Sequence, residues 1–266
     1  MKLVENKIAL VTSSTRGIGL ECSKKLAENG AKVYLAVRRL DAGREIADEI
    51  IKNGGKADVV YFDATKEETF TSMVEDVVKK EGKIDILVNN FGTTDVNKDL
   101  DLVNGDTDTF FKIVNENIKS VYLPCKAAVK NMKANGGGSI INISSVGGLF
   151  PDISRLAYGI SKSSINFLTK NIAVQYARDN IRCNAVLPGF VATEAAMANM
   201  SQEFLNAFLK NVPLNRPATT EDIANAVLFF ASDLSSFITG ETMPVSGGFG
   251  VPSPMYALYQ DMMKKG

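Results

Sequence analysis

The 266-residue chain has no histidine. Catalytic triads built on imidazole are therefore excluded, and so are histidine metal sites. Cysteine is nearly as scarce. Cys22, Cys125 and Cys183 are odd in number and far apart, with no Cys-x-x-Cys pair to hold a metal. They read as small buried apolar residues of a reduced, intracellular protein rather than a disulfide framework. No charge of one sign dominates: Lys plus Arg number 30 and Asp plus Glu number 30, so no global basic field would draw nucleic acid. Long apolar runs are missing too. One long uncharged stretch, residues 134–151, is broken by Gly136-Gly137-Gly138 and Gly147-Gly148, which suits a loop, a strand and a loop, not a membrane helix. The first seven residues carry charges where a signal peptide needs an apolar core. These absences lead us to expect a cytoplasmic protein with no membrane partner and no metal. Its chemistry has to use Tyr, Lys, Ser, Asn or carboxylates.

One stretch offers such chemistry. Tyr158 and Lys162 are four residues apart, and on a helix they share a face about one turn apart. A tyrosine ionises near pH 10 when unperturbed, and a neighbouring cation favours its charged form. Ser145 precedes Tyr158 by 13 residues, at the end of a strand-like run over residues 139–145 that would deliver its hydroxyl to the same mouth. A hydroxyl donor, a tunable phenol and a fixed cation suit proton transfer at an alcohol or carbonyl oxygen. Taken alone, Tyr-x-x-x-Lys is more often a solvated helix face, so the surrounding pattern has to carry the reading.

That pattern is a strand–helix alternation along the whole chain. Residues 7–12 form a short apolar run ended by a Ser/Thr/Gly cluster, then a helical period stops at Asn29-Gly30, and residues 32–37 form a second run. A strand, a glycine-bearing turn and a helix N-terminus within about 30 residues make a cradle of backbone N–H groups for a dinucleotide phosphate. Arg38 and Arg39 follow the second run directly, and Val37 stands where a carboxylate would repel a 2′-phosphate. With Arg16 inside the turn as a further cation, NADP is favoured over NAD. Later strands are expected over residues 57–62, 84–88, 139–145, 182–187 and 240–245. Helices are expected over 41–53, 67–80, 109–133, through Tyr158 to about Tyr176, and over 220–232. The whole reads as one α/β domain, a Rossmann-type doubly wound parallel sheet of about seven strands with helices on both faces. A Met- and Phe-rich segment over 194–212 and an apolar tail over 249–266 suggest an adaptable wall for a bulky alicyclic molecule, or a subunit interface.

The ordered set of these pieces resembles the short-chain dehydrogenase/reductases up to Gly248. The matching parts are the glycine turn Thr12 to Gly19, Asp63, Asn89-Asn90-x-Gly92, Asn117, Ser145, Tyr158, Lys162, and Pro188-Gly189 followed by Thr193. Three positions depart from the pattern: Ser13 replaces the first glycine of the turn, Phe91 an alanine, and Ser246 an aspartate. The resemblance implies Tyr158 as general acid/base, with Lys162 tuning it and holding the nicotinamide ribose. It makes Ser145 the polarising donor and Asn117 the holder of a relay water. Ser14, Thr15, Arg16, Gly17, Ile18 and Gly19 would receive the pyrophosphate, Asp63 and Ala64 the adenine, and Asn90 and Gly92 the ribose. Pro188, Val191 and Thr193 would orient the carboxamide. Asn89 and Thr12 are expected to support the backbone instead.

Within that family the chain looks like bacterial hydroxysteroid dehydrogenases acting on bile acids. This implies a steroid substrate, a secondary ring alcohol such as the 7α-hydroxyl of a cholate type, and a homotetramer or dimer joined through residues 109–133 and 160–177. A 3-oxoacyl-carrier-protein reductase is the nearest alternative, and a non-catalytic NADPH-binding sensor is one of another class.

Overall fold

The structure is a computed structural model and describes residues 2–198 and 200–263. Asn199 within the 194–212 segment, residues 264–266 of the tail, and Met1 lie outside the described residues. Seven parallel strands form one sheet: β1 Ile8–Thr12, β2 Lys32–Val37, β3 Lys56–Tyr61, β4 Ile86–Asn89, β5 Gly138–Ile143, β6 Ile181–Pro188 and β7 Thr242–Val245, in the order β3-β2-β1-β4-β5-β6-β7. The helices between them are α1 Gly17–Glu28, α2 Leu40–Lys52, α3 Thr69–Glu81, α4 Thr107–Ala134, α5 Leu156–Tyr176, α6 Glu194–Met197, α7 Gln202–Leu209, α8 Thr220–Ala231 and α9 Tyr256–Met263.

Successive strand residues point to opposite faces of a sheet, and the two cores show that period. Ala9, Val11, Val33 and Leu35 pack with Leu26, Ala47 and Ile223 on one face. Ile8, Leu10, Tyr34 and Ala36 pack with Met73, Cys125 and Ile165 on the other. Because both faces are covered, the strands read as continuous apolar runs without alternation. The doubly wound fold expected from the sequence is the one observed. Among the described residues, no helix is long and apolar enough to cross a membrane.

Strand order reverses between β1 and β4, which opens a crevice at the carboxyl ends of the strands. Some boundaries differ from expectation. β4 begins at Ile86, not residue 84, and β7 at Thr242, not residue 240. β5 stops at Ile143, so Ser145 lies beyond the strand. The 194–212 segment divides into α6 and α7, the second begun by Ser201, whose hydroxyl accepts from the Phe204 N–H. The three cysteines are buried free thiols. Burial pushes Cys125 up to about 12, against a smaller opposing effect of the Asn89 amide.

Candidate active site

Four strand ends meet at the crevice. The turn after β1 starts at Ser13, whose φ is 54°. That is the left-handed region in which glycine is at ease, so the position explains the usual residue and this chain accepts strain there. Gly17 also has a positive φ, 57°. The first turn of α1 has no side-chain cap and no acidic residue, leaving its N–H groups for an anion. Ser14 is fully buried, and its hydroxyl finds no hydrogen-bond partner among the described residues. An orphaned hydroxyl beside uncapped helix N–H groups fits a bound dinucleotide phosphate.

Asn90, at the end of β4, serves this turn. Its side-chain amide donates to Thr12 O at 3.2 Å and Ser13 O at 3.3 Å, while its N–H donates to Thr12 Oγ1 at 2.8 Å. Thr12 and Asn89 are buried; the Thr12 hydroxyl accepts from the Asn90 N–H, and the Asn89 amide donates to Asn142 Oδ1 at 2.8 Å, a side-chain contact. Phe91 turns its ring into the core, edge-on to Phe62 and Phe70. Arg38 and Arg39 are exposed beside Tyr61. Asp63 is held below the usual carboxylate range, first by the Thr65 N–H and hydroxyl, and least by the charge of Arg38. Gly17 faces Thr193 across the crevice: a Cβ built on Gly17 would lie 3.5 Å from Thr193 Cγ2. The Thr193 hydroxyl caps α6 by accepting from the Ala196 N–H, and Val191 pairs with Ala218.

The catalytic candidates share the next strand end. Lys162 is 3% exposed, and its ammonium donates to Ile143 O at 2.9 Å. Burial holds it below its usual value, with Tyr158 pulling the other way. Its Nζ lies 5.7 Å from the centre of the Tyr158 ring and 3.1 Å from where a Cβ on Gly92 would stand. Ser145 caps a 3-10 turn, Val146–Gly148, its hydroxyl accepting from the Gly147 N–H at 3.1 Å. A Cβ on Gly147 would sit 3.4 Å from Ser145 Oγ and 3.6 Å from Tyr158 Cε1, so the Ser145 hydroxyl and the Tyr158 ring flank the same glycine.

Asn117, fully buried on α4, ties two parts of the site together. Its Oδ1 accepts from the Thr93 N–H at 2.7 Å; its Nδ2 donates to Thr93 O at 3.0 Å and to Ser161 Oγ at 2.9 Å. The Ser161 hydroxyl in turn donates to Tyr158 O at 2.7 Å. Thr93, Ser161 and the Ile143 carbonyl were not legible beforehand, since each acts through a backbone group or an ordinary helix serine.

Beyond the polar centre lies an aromatic layer. Phe208 of α7 stacks on Phe249 of the tail, with centroids 5.1 Å apart and planes at 13°. Phe190, after β6, and Phe150, after the 3-10 turn, pack against them at 5.9 and 5.8 Å. Gly250, at φ 81°, leaves the room that Phe150 fills: a Cβ there would meet the ring at 2.2 Å. Lys210 and Asp261 pair at 2.8 Å, joining the end of α7 to α9. The apolar tail therefore packs on the 194–212 segment of its own chain.

A family model described as enoyl-(acyl carrier protein) reductase matches residues 12–250. The chain is a short-chain dehydrogenase/reductase. It is 58% identical to a 7alpha-hydroxysteroid dehydrogenase of Clostridium sardiniense, over 97% of this chain and 99% of that one. It is 57% identical to one of Paraclostridium sordellii over 97% of each chain. A solved 7 alpha-hydroxysteroid dehydrogenase complexed with NADH and 7-oxo glycochenodeoxycholic acid superposes with a TM-score of 0.87 at 31% identity, covering 93% of this chain and 95% of that one. The family is one of nicotinamide-dependent oxidoreductases acting on hydroxyl groups, and this chain is such an enzyme.

Proposed function

We propose that the chain interconverts the 7α-hydroxyl of a bile-acid-type steroid and the corresponding ketone, with NADP as its cofactor. The observation that carries this reading is the 58% identity to a 7alpha-hydroxysteroid dehydrogenase across nearly the full length of both chains. Bound nicotinamide supplies the hydride chemistry at the ring carbon. The protein handles the oxygen. Ser145 hydrogen-bonds it, Tyr158 accepts its proton in oxidation and returns it in reduction, and the Lys162 ammonium favours the phenolate that intervenes. Asn117 fixes Thr93 and, through Ser161, the backbone of Tyr158.

The cofactor pyrophosphate belongs over residues 14–19. Arg38 and Arg39, exposed after β2 with no carboxylate at Val37, suit a 2′-phosphate. Asn90 acts on the ribose side chiefly by shaping the turn. The aromatic layer of Phe150, Phe190, Phe208 and Phe249 suits a flat alicyclic substrate and speaks against the acyl-carrier alternative, which needs a basic mouth. Ile160, Phe167 and Val174 recur every seven residues as exposed apolar positions on α5, and we read them as the face that builds a homodimer or homotetramer. We assign the enzyme to the cytoplasm.

The test is absorbance at the reduced-nicotinamide band with a 7α-hydroxylated bile salt, its 7β epimer, and NADP and NAD in parallel. Turnover with NADP and the 7α epimer alone is expected. Silence with both epimers and both cofactors, alongside reduction of 3-oxoacyl thioesters, overturns the steroid assignment.

A further inference from the structure

Arg155 occupies the N-cap of α5 in an unusual state. Its backbone is left-handed, φ 60° and ψ 41°. Of the other non-glycine residues with positive φ, Asn6, Asn180 and Asn215 are of the type that tolerates it, and Ser13 belongs to the cofactor turn. A long cationic side chain has no such excuse, and strain of this kind persists only where surrounding structure imposes it.

The imposing structure is the loop between β4 and α4. Asp99, 3% exposed, accepts the Ala157 N–H at 2.8 Å on Oδ1 and the Tyr158 N–H at 3.0 Å on Oδ2. Its carbonyl accepts the Arg155 N–H at 2.9 Å, and that of Leu100 accepts the Leu156 N–H at 3.3 Å. The N–H groups of residues 155–158 thus all end on Asp99 and Leu100. The capping that Arg155 does not provide comes from Asp99, 58 residues before Ala157 in the chain.

This arrangement sets the Arg155 guanidinium 4.5 Å from the centre of the Tyr158 ring. Among the described residues, Arg155 and Lys162 from α5 and its cap lie over that ring, and Asp99 from the β4–α4 loop accepts the Tyr158 N–H. Asp99 turns its charge toward backbone N–H groups. We propose that Arg155 is a positioning residue for the general acid/base: it holds the Tyr158 ring by its face and stabilises the charge that builds in the ring as the phenolic proton leaves. A guanidinium is drawn to an aromatic face by the ring's π density, and the attraction grows as the phenol becomes phenolate. The inference rests on the assignment of Tyr158 as acid/base.

Arg155→Gly is the informative variant, because glycine accepts the left-handed backbone, so the side chain and its guanidinium are removed without backbone strain. Arg155→Lys tests the charge apart from the stem. The measurement is the pH dependence of kcat and of KM for the 7α-hydroxy steroid in wild type, Arg155→Gly, Arg155→Lys and Tyr158→Phe, with Tm for each. For Arg155→Gly we expect a Tm at or above wild type, and a steroid KM within about twofold. Its kcat at neutral pH should be about 2- to 5-fold lower, with the rising limb of the oxidation profile displaced to alkaline pH. Arg155→Lys should restore much of both. An Arg155→Gly profile superimposable on wild type, or a loss confined to KM, overturns the role. If Tyr158→Phe turns over normally, it is instead the acid/base assignment, and this inference with it, that fails.

Discussion

The side-chain amide of Asn90 stands 2.6 Å from where a Cβ on Gly19 would lie, and the carbonyl oxygen of Ser13 stands 2.5 Å from it. Glycine at 19 is thus demanded by the chain's own backbone before any cofactor arrives. The two residues lie on different sides of the β1–β4 switch point and lock the turn between them.

Gly19→Ala should therefore do harm on two counts. The Ser13 carbonyl is backbone and cannot step aside, so an overpacking cost of about 1–3 kcal/mol is expected. Tm of the cofactor-free protein should fall by several degrees, and NADP affinity by about tenfold or more as the phosphate turn distorts. Calorimetric titration and a thermal melt check both, and wild-type affinity in a folded variant would contradict the geometry.

The exposed arginines after β2 should act on cofactor choice without affecting the fold. Arg38→Ala is expected to lower kcat/KM for NADP by about 10- to 100-fold, the worth of charge-assisted hydrogen bonds to a phosphate. The value for NAD should change little, and Tm should stay in place. Steady-state kinetics with the two cofactors distinguishes this from a general loss, in which both would fall together.

Lys162 carries a charge that is costly to bury. Its folded-state value is lowered by burial. Below that value both folded and unfolded chains carry the charge, and the folded state bears the whole desolvation cost. As pH rises from the lowered folded value toward the unfolded one, about 10.4, the unfolded chain binds more protons, so this group's contribution to stability rises with pH in that window. Lys162→Met removes the buried charge while leaving the Ile143 carbonyl without its donor. We expect a Tm equal to wild type or a few degrees higher, a flatter alkaline stability profile, and turnover lower by about 10²–10⁴-fold. Melts across pH 7–11 with parallel assays would show it; a large fall in Tm would mean the ammonium is a structural support.

Much of this molecule was readable before its structure. β2 runs from Lys32 to Val37, the bounds its apolar run marked, because a strand buried on both faces leaves an unbroken signal. Tyr158 and Lys162 also lie within one helix, where the apolar pattern running to about Tyr176 places them. What escaped reading depended on contacts between distant residues. Nothing local tells that Asp99 caps a helix beginning at Leu156, or that Arg155 takes a glycine-like conformation. The resemblance places Asn90 at the ribose, and only the fold shows that its amide also reaches the carbonyls of Thr12 and Ser13. Ser145 was expected at a strand end; it begins a tight turn two residues later, which is what frees its hydroxyl from the sheet.

The four rings of the aromatic layer come from four separate segments, and none of them is a sheet residue. Phe150, Phe190, Phe208 and Phe249 lie outside the strands and are separate in sequence from Ser145, Tyr158 and Lys162, and each packs on another ring of the layer. On the proposed function, a change in this layer alters which substrate is accepted and leaves the residues that handle its oxygen as they are.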